Sequence, residues 1–154
     1  MSSSHTLRLG VFTRLVDLAP PDEVYARALR LFETAERLGF DVGWVAQHHA
    51  HNEGGLPSPL VFLAMVASRT SKLRLATGII TLPLEHPLRL AEDAAVLDVL
   101  SDGRLELGFG TGGNETVFKI FGRDLNRRHE DYDRAFNIVR DALAGKPLIP
   151  DGPV

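Results

Sequence analysis

The chain has 154 residues, of which 44% are hydrophobic and 24% are charged, and its formal net charge is -3. This balance suits one globular domain and gives no electrostatic basis for binding nucleic acid or an anionic membrane, while the absence of cysteine excludes disulfides and cysteine-based metal sites. The N-terminus is short and polar, unlike a secretory signal, and no apolar run approaches the roughly 20 residues of a membrane span, so we expect a cytoplasmic protein.

Strand-like and helix-like segments alternate along the chain. Short apolar or alternating segments predict strands over residues 7–13, 41–46, 73–82 and 104–109. Apolar residues at helical spacing predict a first helix that ends at Gly39, a second that Ser58 caps at Pro59, a third from Pro87 to about Leu100, and a last one over residues 130–144. Asn114 and Glu115 indicate a further short helix.

Two of the helices have one apolar face each. The first helix should bury Val24, Ala28, Leu31, Ala35 and Leu38. The last helix should bury Tyr132, Ala135, Phe136, Val139 and Leu143.

The order is therefore βα repeated about four times, with short connections. The segment 73–82 is apolar on both faces, which favours a parallel α/β sheet covered by helices. An open doubly wound sheet fits this order, and so does half of an eight-stranded barrel, which usually needs about 250 residues. We expect residues 1–6 to form a disordered tail and residues 7–154 to form a single, incomplete domain.

The carboxyl ends of the predicted strands carry polar residues and glycines, and ligands gather at these ends in both architectures. They are Thr13, Gln47-His48-His49, Thr77-Gly78-Ile79 with Thr81, and the glycine-rich residues 108–113. Lys72, Arg74 and Arg104 lie at the opposite ends. This asymmetry predicts a functional site at the carboxyl rim.

The adjacent His48 and His49 should point to opposite faces of an extended segment, so that at most one faces a pocket. A pocket histidine that donates or accepts a proton is the reading we favour. A purely structural pair and a metal site completed by His51 and Glu53 are the alternatives.

Other features have two interpretations each. The glycine loop 108–113 is either a phosphate cradle or a tight turn, and Gly78 marks either a close approach to a ligand or close packing. The run Arg127-Arg128-His129 is either a solvated helix entry or a phosphate contact.

Several stretches, taken together and in this order, resemble the bacterial-luciferase-like flavin-dependent monooxygenases. The similarity covers about residues 7–145. The motifs are Leu38-Gly39-Phe40-Asp41 with Trp44 and His48-His49, the segment 73–89 with its Ala-Thr-Gly and Leu-Pro-Leu, the segment 91–104, Gly108-Phe109-Gly110, and Phe118 with Phe121-Gly122.

The resemblance implies a (β/α)₈ TIM-barrel fold of which this chain supplies about the first four βα units. It also implies an enzyme that uses reduced FMN from a separate reductase, or a deazaflavin in one branch, with O₂ or a hydride acceptor. Aldehydes and alkanesulfonates are examples of the small organic substrates to be expected.

Site residues follow from the matched positions. His48 matches the catalytic histidine, and Thr77, Gly78 and Ile79 match the flavin-facing segment, in which the bond between Gly78 and Ile79 is a cis peptide. Gly110 and Thr111 match the end of the fourth strand near the flavin. The luciferase branch has an arginine where Thr111 stands, and Arg128 or His129 could bind the flavin phosphate instead.

Three partner hypotheses accompany this assignment. The second and third helices are apolar beyond one stripe, which predicts a homodimer packed through them. A second chain could instead complete the barrel, and the chain could be a truncated, non-catalytic subunit.

Besides the flavin enzyme and the non-catalytic subunit, a metal-dependent hydrolase using His48, His49 and His51 is a third functional hypothesis.

Overall fold

The structure, a computed structural model, describes residues 7–16, 19–50 and 55–149. The expected tail over residues 1–6 and the residues 150–154 lie outside the described residues. Strands and helices follow in the order β1 (Gly10–Thr13), α1 (Pro21–Arg37), β2 (Val42–Val45), α2 (Pro59–Ala67), β3 (Arg74–Thr77), β4 (Ile80–Thr81), α3 (Pro87–Leu100), β5 (Leu105–Glu106), β6 (Phe109–Gly110), α4 (Glu115–Ile120) and α5 (Arg128–Leu143). Short 3-10 turns lie at Leu82–Leu84 and Leu125–Arg127.

The strands form a parallel sheet in the order β1-β2-β3-β5, and β4 pairs with β6 in parallel beyond it. The prediction of a parallel α/β sheet is therefore confirmed. The prediction of unbroken strands over 73–82 and 104–109 is wrong, because each is divided into two pieces. At the break, the Thr77 hydroxyl accepts from the Gly108 N–H at 2.8 Å and donates to the Gly108 carbonyl at 3.0 Å, so a side chain takes the place of a ladder bond.

The main core lies between the sheet and helices α1 and α2. Five of its side chains are 0% exposed: Phe32, Val45, Leu63, Val66 and Leu75. Phe32 packs on Gly43, where a β-carbon would lie 2.3 Å from the ring. The predicted face of α1 is wrong at Leu31 and Leu38, which are 39% and 69% exposed, because the helix turns Phe32 towards this glycine instead.

The opposite face of the sheet carries Phe12 and Trp44, which are neighbours in the register of β1 and β2. Phe12 is 55% exposed, since no described helix covers this face. Side chains alternate across a strand, so Gly43 faces α1 and Trp44 faces away from it.

A second core joins β4 to α3 and α5 through Ile80, Leu82, Leu90, Ala91, Ala135 and Val139. Ala135 and Val139 are buried as predicted, whereas Phe136 and Leu143 of the same predicted face remain 38% and 46% exposed.

The helix starts agree with the sequence, but their caps differ in part. Helix α3 begins at Pro87, and the His86 side chain accepts from the Arg89 N–H at 3.4 Å. Ser58 occupies the cap position of α2 without making the expected side-chain hydrogen bond. Among the described residues, no helix combines the length and apolar character that crossing a bilayer requires.

Candidate functional site

A cavity of about 310 Å³ opens at the carboxyl ends of the parallel strands. It is lined by residues 46–49 after β2, by the bend between β3 and β4, and by the glycine loop with α4. Small-molecule sites have volumes of roughly 300–1,000 Å³ and occur at this rim in barrel folds. The size and the position of the cavity therefore suit a ligand.

His48, Gly78 and Ile79 all line this cavity. The sequence places His48 after the second strand. The other two residues lie near the end of the third strand, about 30 residues after His48. Their convergence at one rim is confirmed, because parallel strands bring their carboxyl ends to the same edge of the sheet.

Both histidines line the cavity, so the prediction that at most one of them faces it is wrong. Strict alternation holds only within a strand, and β2 ends at Val45, before either histidine. The His48 N–H donates to the Leu56 carbonyl at 3.0 Å, which fixes the backbone at His48.

His49 is half-buried, and its Nε2 atom is buried without a hydrogen-bond partner in the described structure. Its ring lies edge-on to Phe121 with 4.8 Å between centroids. Burial lowers the pKa of His49, and the charge of Glu85 offsets part of that effect by raising it. Burial therefore favours the neutral form of the His49 imidazole.

The bend between β3 and β4 brings backbone close to aromatic side chains. The bond between Gly78 and Ile79 is cis, as the resemblance implies. A β-carbon on Gly78 would lie 3.3 Å from Phe12 and 3.4 Å from Trp44. Glycine at this position therefore reflects close packing on the aromatic face of the sheet.

Ile79 is 36% exposed at the cavity wall, and Gly110 lies directly behind it. A β-carbon on Gly110 would lie 2.8 Å from the Ile79 Cδ1 atom. Gly110 is thus placed to set the position of Ile79 and does not itself line the cavity.

Besides Gly110, three more predicted site residues, Thr77, Thr111 and Arg128, lie outside the cavity wall. Thr77 is 0% exposed, and its hydroxyl is occupied by Gly108, so its side chain does not reach the cavity. Thr111 donates to the Gly112 carbonyl at 3.4 Å, and Arg128 donates to the Leu125 carbonyl at 3.2 Å. The structure does not bring Thr111 or Arg128 into the group formed by His48, Gly78 and Ile79.

The glycine loop forms the far wall of the cavity. Gly112 has a φ of +69°, and a β-carbon there would lie 2.4 Å from Thr81. A β-carbon on Gly113 would meet nothing within 4 Å, so the backbone there faces open space. Asn114 caps α4 by accepting from the Val117 N–H at 3.2 Å, which confirms the predicted short helix.

Sequence reasoning assigned no role to Gln47 or Glu85, although Gln47 lines the cavity beside His48. The two side chains are joined by a hydrogen bond of 2.7 Å from Gln47 Nε2 to Glu85 Oε1. The available signal was an uncharged amide at a strand end, between apolar Ala46 and two histidines.

A metal centre finds no support in the part of the chain that is described. Those residues contain no group of three or more histidine, aspartate or glutamate side chains arranged to hold an ion. His51 and Glu53, which the metal hypothesis requires, lie outside the described residues.

Comparison with known proteins places these features in a family. The sequence model of the luciferase-like monooxygenases matches residues 7–153. The alkanal monooxygenase alpha chain of the Kryptophanaron alfredi symbiont is 33% identical over 141 residues, which are 89% of this chain and 39% of that protein. The chain spans well under half the length of such curated relatives, for example 42% of one and 31% of another.

Two solved structures share the fold. The oxygenating constituent of 3,6-diketocamphane monooxygenase from Pseudomonas putida, a type II Baeyer-Villiger monooxygenase in complex with FMN, matches with a TM-score of 0.87 and 19% identity. That match covers 94% of this chain and 41% of the other. The coenzyme F420-dependent tetrahydromethanopterin reductase of Methanopyrus kandleri matches with a TM-score of 0.59 and 29% identity, covering 75% of this chain and 30% of the other.

These matches confirm the predicted fold class, a TIM-barrel type of which the chain forms part. Because the family model extends over nearly the whole sequence, the chain belongs to the luciferase-like monooxygenase family.

Proposed function

We propose that the chain forms part of a flavin-dependent monooxygenase that holds its cofactor in the cavity at His48 and Ile79 and acts on a small organic substrate with O₂. The observation that carries this proposal is that His48, Gly78 and Ile79 line one cavity at the carboxyl rim. Family membership and the FMN named for one solved relative support it.

The cavity lining fits a flat aromatic cofactor. Ile79, Leu84, Val117 and Phe118 supply apolar surface, and His48 is a polar residue of the same lining. Gly113 leaves its backbone open to the cavity. A mostly apolar lining with a few well-placed polar groups is typical of cofactor sites.

The residues of the chain would bind, orient and protect the cofactor. Reduced flavin, when bound, supplies the electrons for reaction with O₂ and the substrate, and the protein controls geometry and water access. Ile79 and Phe118 would hold the ring and exclude water. His48 would donate or accept a proton at an imidazole nitrogen within hydrogen-bond reach of the reacting group.

The other proposed residues would act from outside the lining. Thr77 and Gly110 would act indirectly, by holding Gly108 and Ile79. Thr111 stays a proposed neighbour of the flavin at the end of the fourth strand. Arg128 or His129 stays the proposed contact of the flavin phosphate, and a guanidinium group matches phosphate oxygens.

Reduced FMN from a separate reductase is the cofactor that we propose. The F420-dependent relative supports a deazaflavin oxidoreductase as a second candidate. The cytoplasmic location stays a prediction from the sequence.

A second copy of the chain is the proposed partner, packed through the outer faces of α2 and α3. Helix α2, with the sequence PLVFLAMVA, carries no charged residue. Val61 and Met65 on α2 are 70% and 48% exposed, and Val99 and Leu100 on α3 are 80% and 74% exposed. A two-fold axis would bury these apolar side chains against their own copies.

Fluorescence titration with FMN and with F420, oxidised and reduced, tests the proposed function. We expect saturable quenching by one of these cofactors, and the preferred one decides between the two candidates. An absence of quenching at high micromolar concentrations of both would reduce the chain to a non-catalytic subunit. Stoichiometric zinc or manganese by elemental analysis would instead support the hydrolase alternative.

Sedimentation of the wild-type chain and of Met65→Glu tests the proposed dimer. The negative charge of the introduced glutamate should dissociate it.

A further inference from the structure

We propose that Gln47 is a positioning residue that holds the backbone from Ile79 to Thr81 beside His48. The inference rests on the proposed function in one respect, because it gives that backbone segment its role at the cofactor. The contacts themselves do not depend on the cofactor.

The Gln47 amide is buried, and the structure satisfies its hydrogen-bonding groups. The residue is 8% exposed. Its Nε2 donates to Glu85 Oε1 at 2.7 Å and to the Pro57 carbonyl at 3.2 Å, and its Oε1 accepts from the Thr81 N–H at 2.7 Å. An amide has two N–H donors and one carbonyl oxygen, so each of these groups has a partner.

These bonds connect three separate segments at the cavity. One segment is the loop after β2, to which Gln47 belongs; the second contains Pro57, before α2; the third runs from β4 to Glu85, before α3. The backbone N–H of Gln47 adds a bond of 3.3 Å to the Ile79 carbonyl. Gln47 thus contacts Ile79 and Thr81 on both sides of Ile80.

Ile80 is held independently, which makes the effect of Gln47 local. The Ile80 N–H donates to the Gly108 carbonyl at 2.9 Å, and its side chain is 1% exposed in the second core. Removing the Gln47 amide would leave Ile80 in place and release Thr81, which is itself part of the cavity wall. The consequence should be a displaced wall within a folded domain.

Glu85 connects the same network to His49. The carboxylate is hydrogen-bonded to Gln47, and its charge acts on the imidazole of His49. Gln47 therefore holds a carboxylate whose charge acts on His49, in addition to the backbone of the bend.

Gln47→Met tests the proposal, because methionine keeps the length of the side chain and removes its hydrogen bonds. Glu36→Gln is the matched control at the opposite end of the sheet, where the Glu36 carboxylate accepts from the N–H groups of Ser71, Lys72 and Leu73. The readouts are amide hydrogen exchange by NMR and FMN affinity, both measured well below the unfolding temperature.

We expect Thr81 exchange to accelerate about tenfold in Gln47→Met, since the Thr81 N–H loses its acceptor, while Ile80 exchange is unchanged because its N–H still donates to Gly108. FMN affinity should fall about tenfold in this variant and stay within about twofold in Glu36→Gln. Glu85→Ala, at a partly exposed position, should change Thr81 exchange in the same direction by a smaller factor, and it replaces Gln47→Met if that variant does not fold.

Unchanged Thr81 exchange in these variants would overturn the proposal. Equal losses of FMN affinity in Gln47→Met and Glu36→Gln would also overturn it, since the effect would then follow general stability. If the wild-type chain binds no flavin, the proposed function fails, and Thr81 exchange alone decides whether Gln47 positions this backbone.

Discussion

The hydroxyl of Thr77 exchanges two hydrogen bonds with the backbone of Gly108, one as acceptor at 2.8 Å and one as donor at 3.0 Å. This contact joins the end of β3 to the segment between β5 and β6. Gly108 is required there, because a β-carbon would lie 2.3 Å from the Thr77 carbonyl oxygen.

Thr77→Val should lower the free energy of unfolding by about 1–3 kcal/mol, because it leaves the half-buried Gly108 N–H without its acceptor, while the Gly108 carbonyl keeps its bond from the Ile80 N–H. Urea denaturation measures the change. Thr34→Val is the control, since the Thr34 hydroxyl accepts from the exposed Arg37 side chain at 3.3 Å. Equal stability of the two variants would show that the Thr77 contact contributes nothing.

Gly43→Ala should destabilise the domain by about 1–3 kcal/mol through overpacking. The added β-carbon would lie 2.3 Å from the ring of Phe32, in the main core. Gly113→Ala provides the comparison, because a β-carbon there meets nothing within 4 Å. Thermal unfolding of both variants checks the prediction, and a Gly43→Ala protein as stable as the wild type would contradict the packing described for α1.

Gly110→Ala should weaken FMN binding about tenfold and change stability little. The new methyl group would lie 2.8 Å from the end of the flexible Ile79 side chain and would displace it into the cavity. Gly43→Ala is expected to show the reverse pattern, with lower stability and intact affinity. Equal FMN affinity of Gly110→Ala and the wild type would remove Ile79 from the cofactor site.

His49 should make stability depend on pH. Burial lowers the pKa of His49 below the ordinary value of 6.5, so the unfolded chain binds more protons than the folded chain in the window just below 6.5. Its stabilising contribution is therefore present above this value and is lost as the pH falls through the folded pKa.

Unfolding free energies of the wild type and His49→Gln at about pH 8 and about pH 5 test this dependence. The wild type should lose more stability on acidification than His49→Gln. His86→Gln serves as the control, since His86 is exposed at the start of α3. Identical pH profiles for the wild type and His49→Gln would show that His49 is not buried as described.

The element order and the position of the site followed from local signals in the sequence. Pro87 and Gly39 mark a helix start and a helix end, since proline suits the first turn and glycine adopts the positive φ of +82° found at Gly39. The prediction that His48 and Gly78 lie at one rim needed only the parallel order of the strands. It required no knowledge of side-chain contacts.

What the sequence did not show depends on contacts between distant residues. The interruption between β3 and β4 comes from the hydrogen bonds between Thr77 and Gly108, which are 31 positions apart. Phe32 rather than Leu31 enters the core because Gly43 leaves space for it. Gln47 acquires its partners only when the segments carrying Pro57 and Glu85 fold against it, and helical or strand periodicity contains no trace of such a network.

An NMR titration of the labelled chain with FMN tests the central claim most directly. Flavin binding in the described cavity should shift the backbone amides of His48, Gly78, Ile79 and Gly113 first, in a saturable manner, and should leave those of α1 unchanged. An absence of shifts, or shifts grouped away from these four residues, would contradict the account.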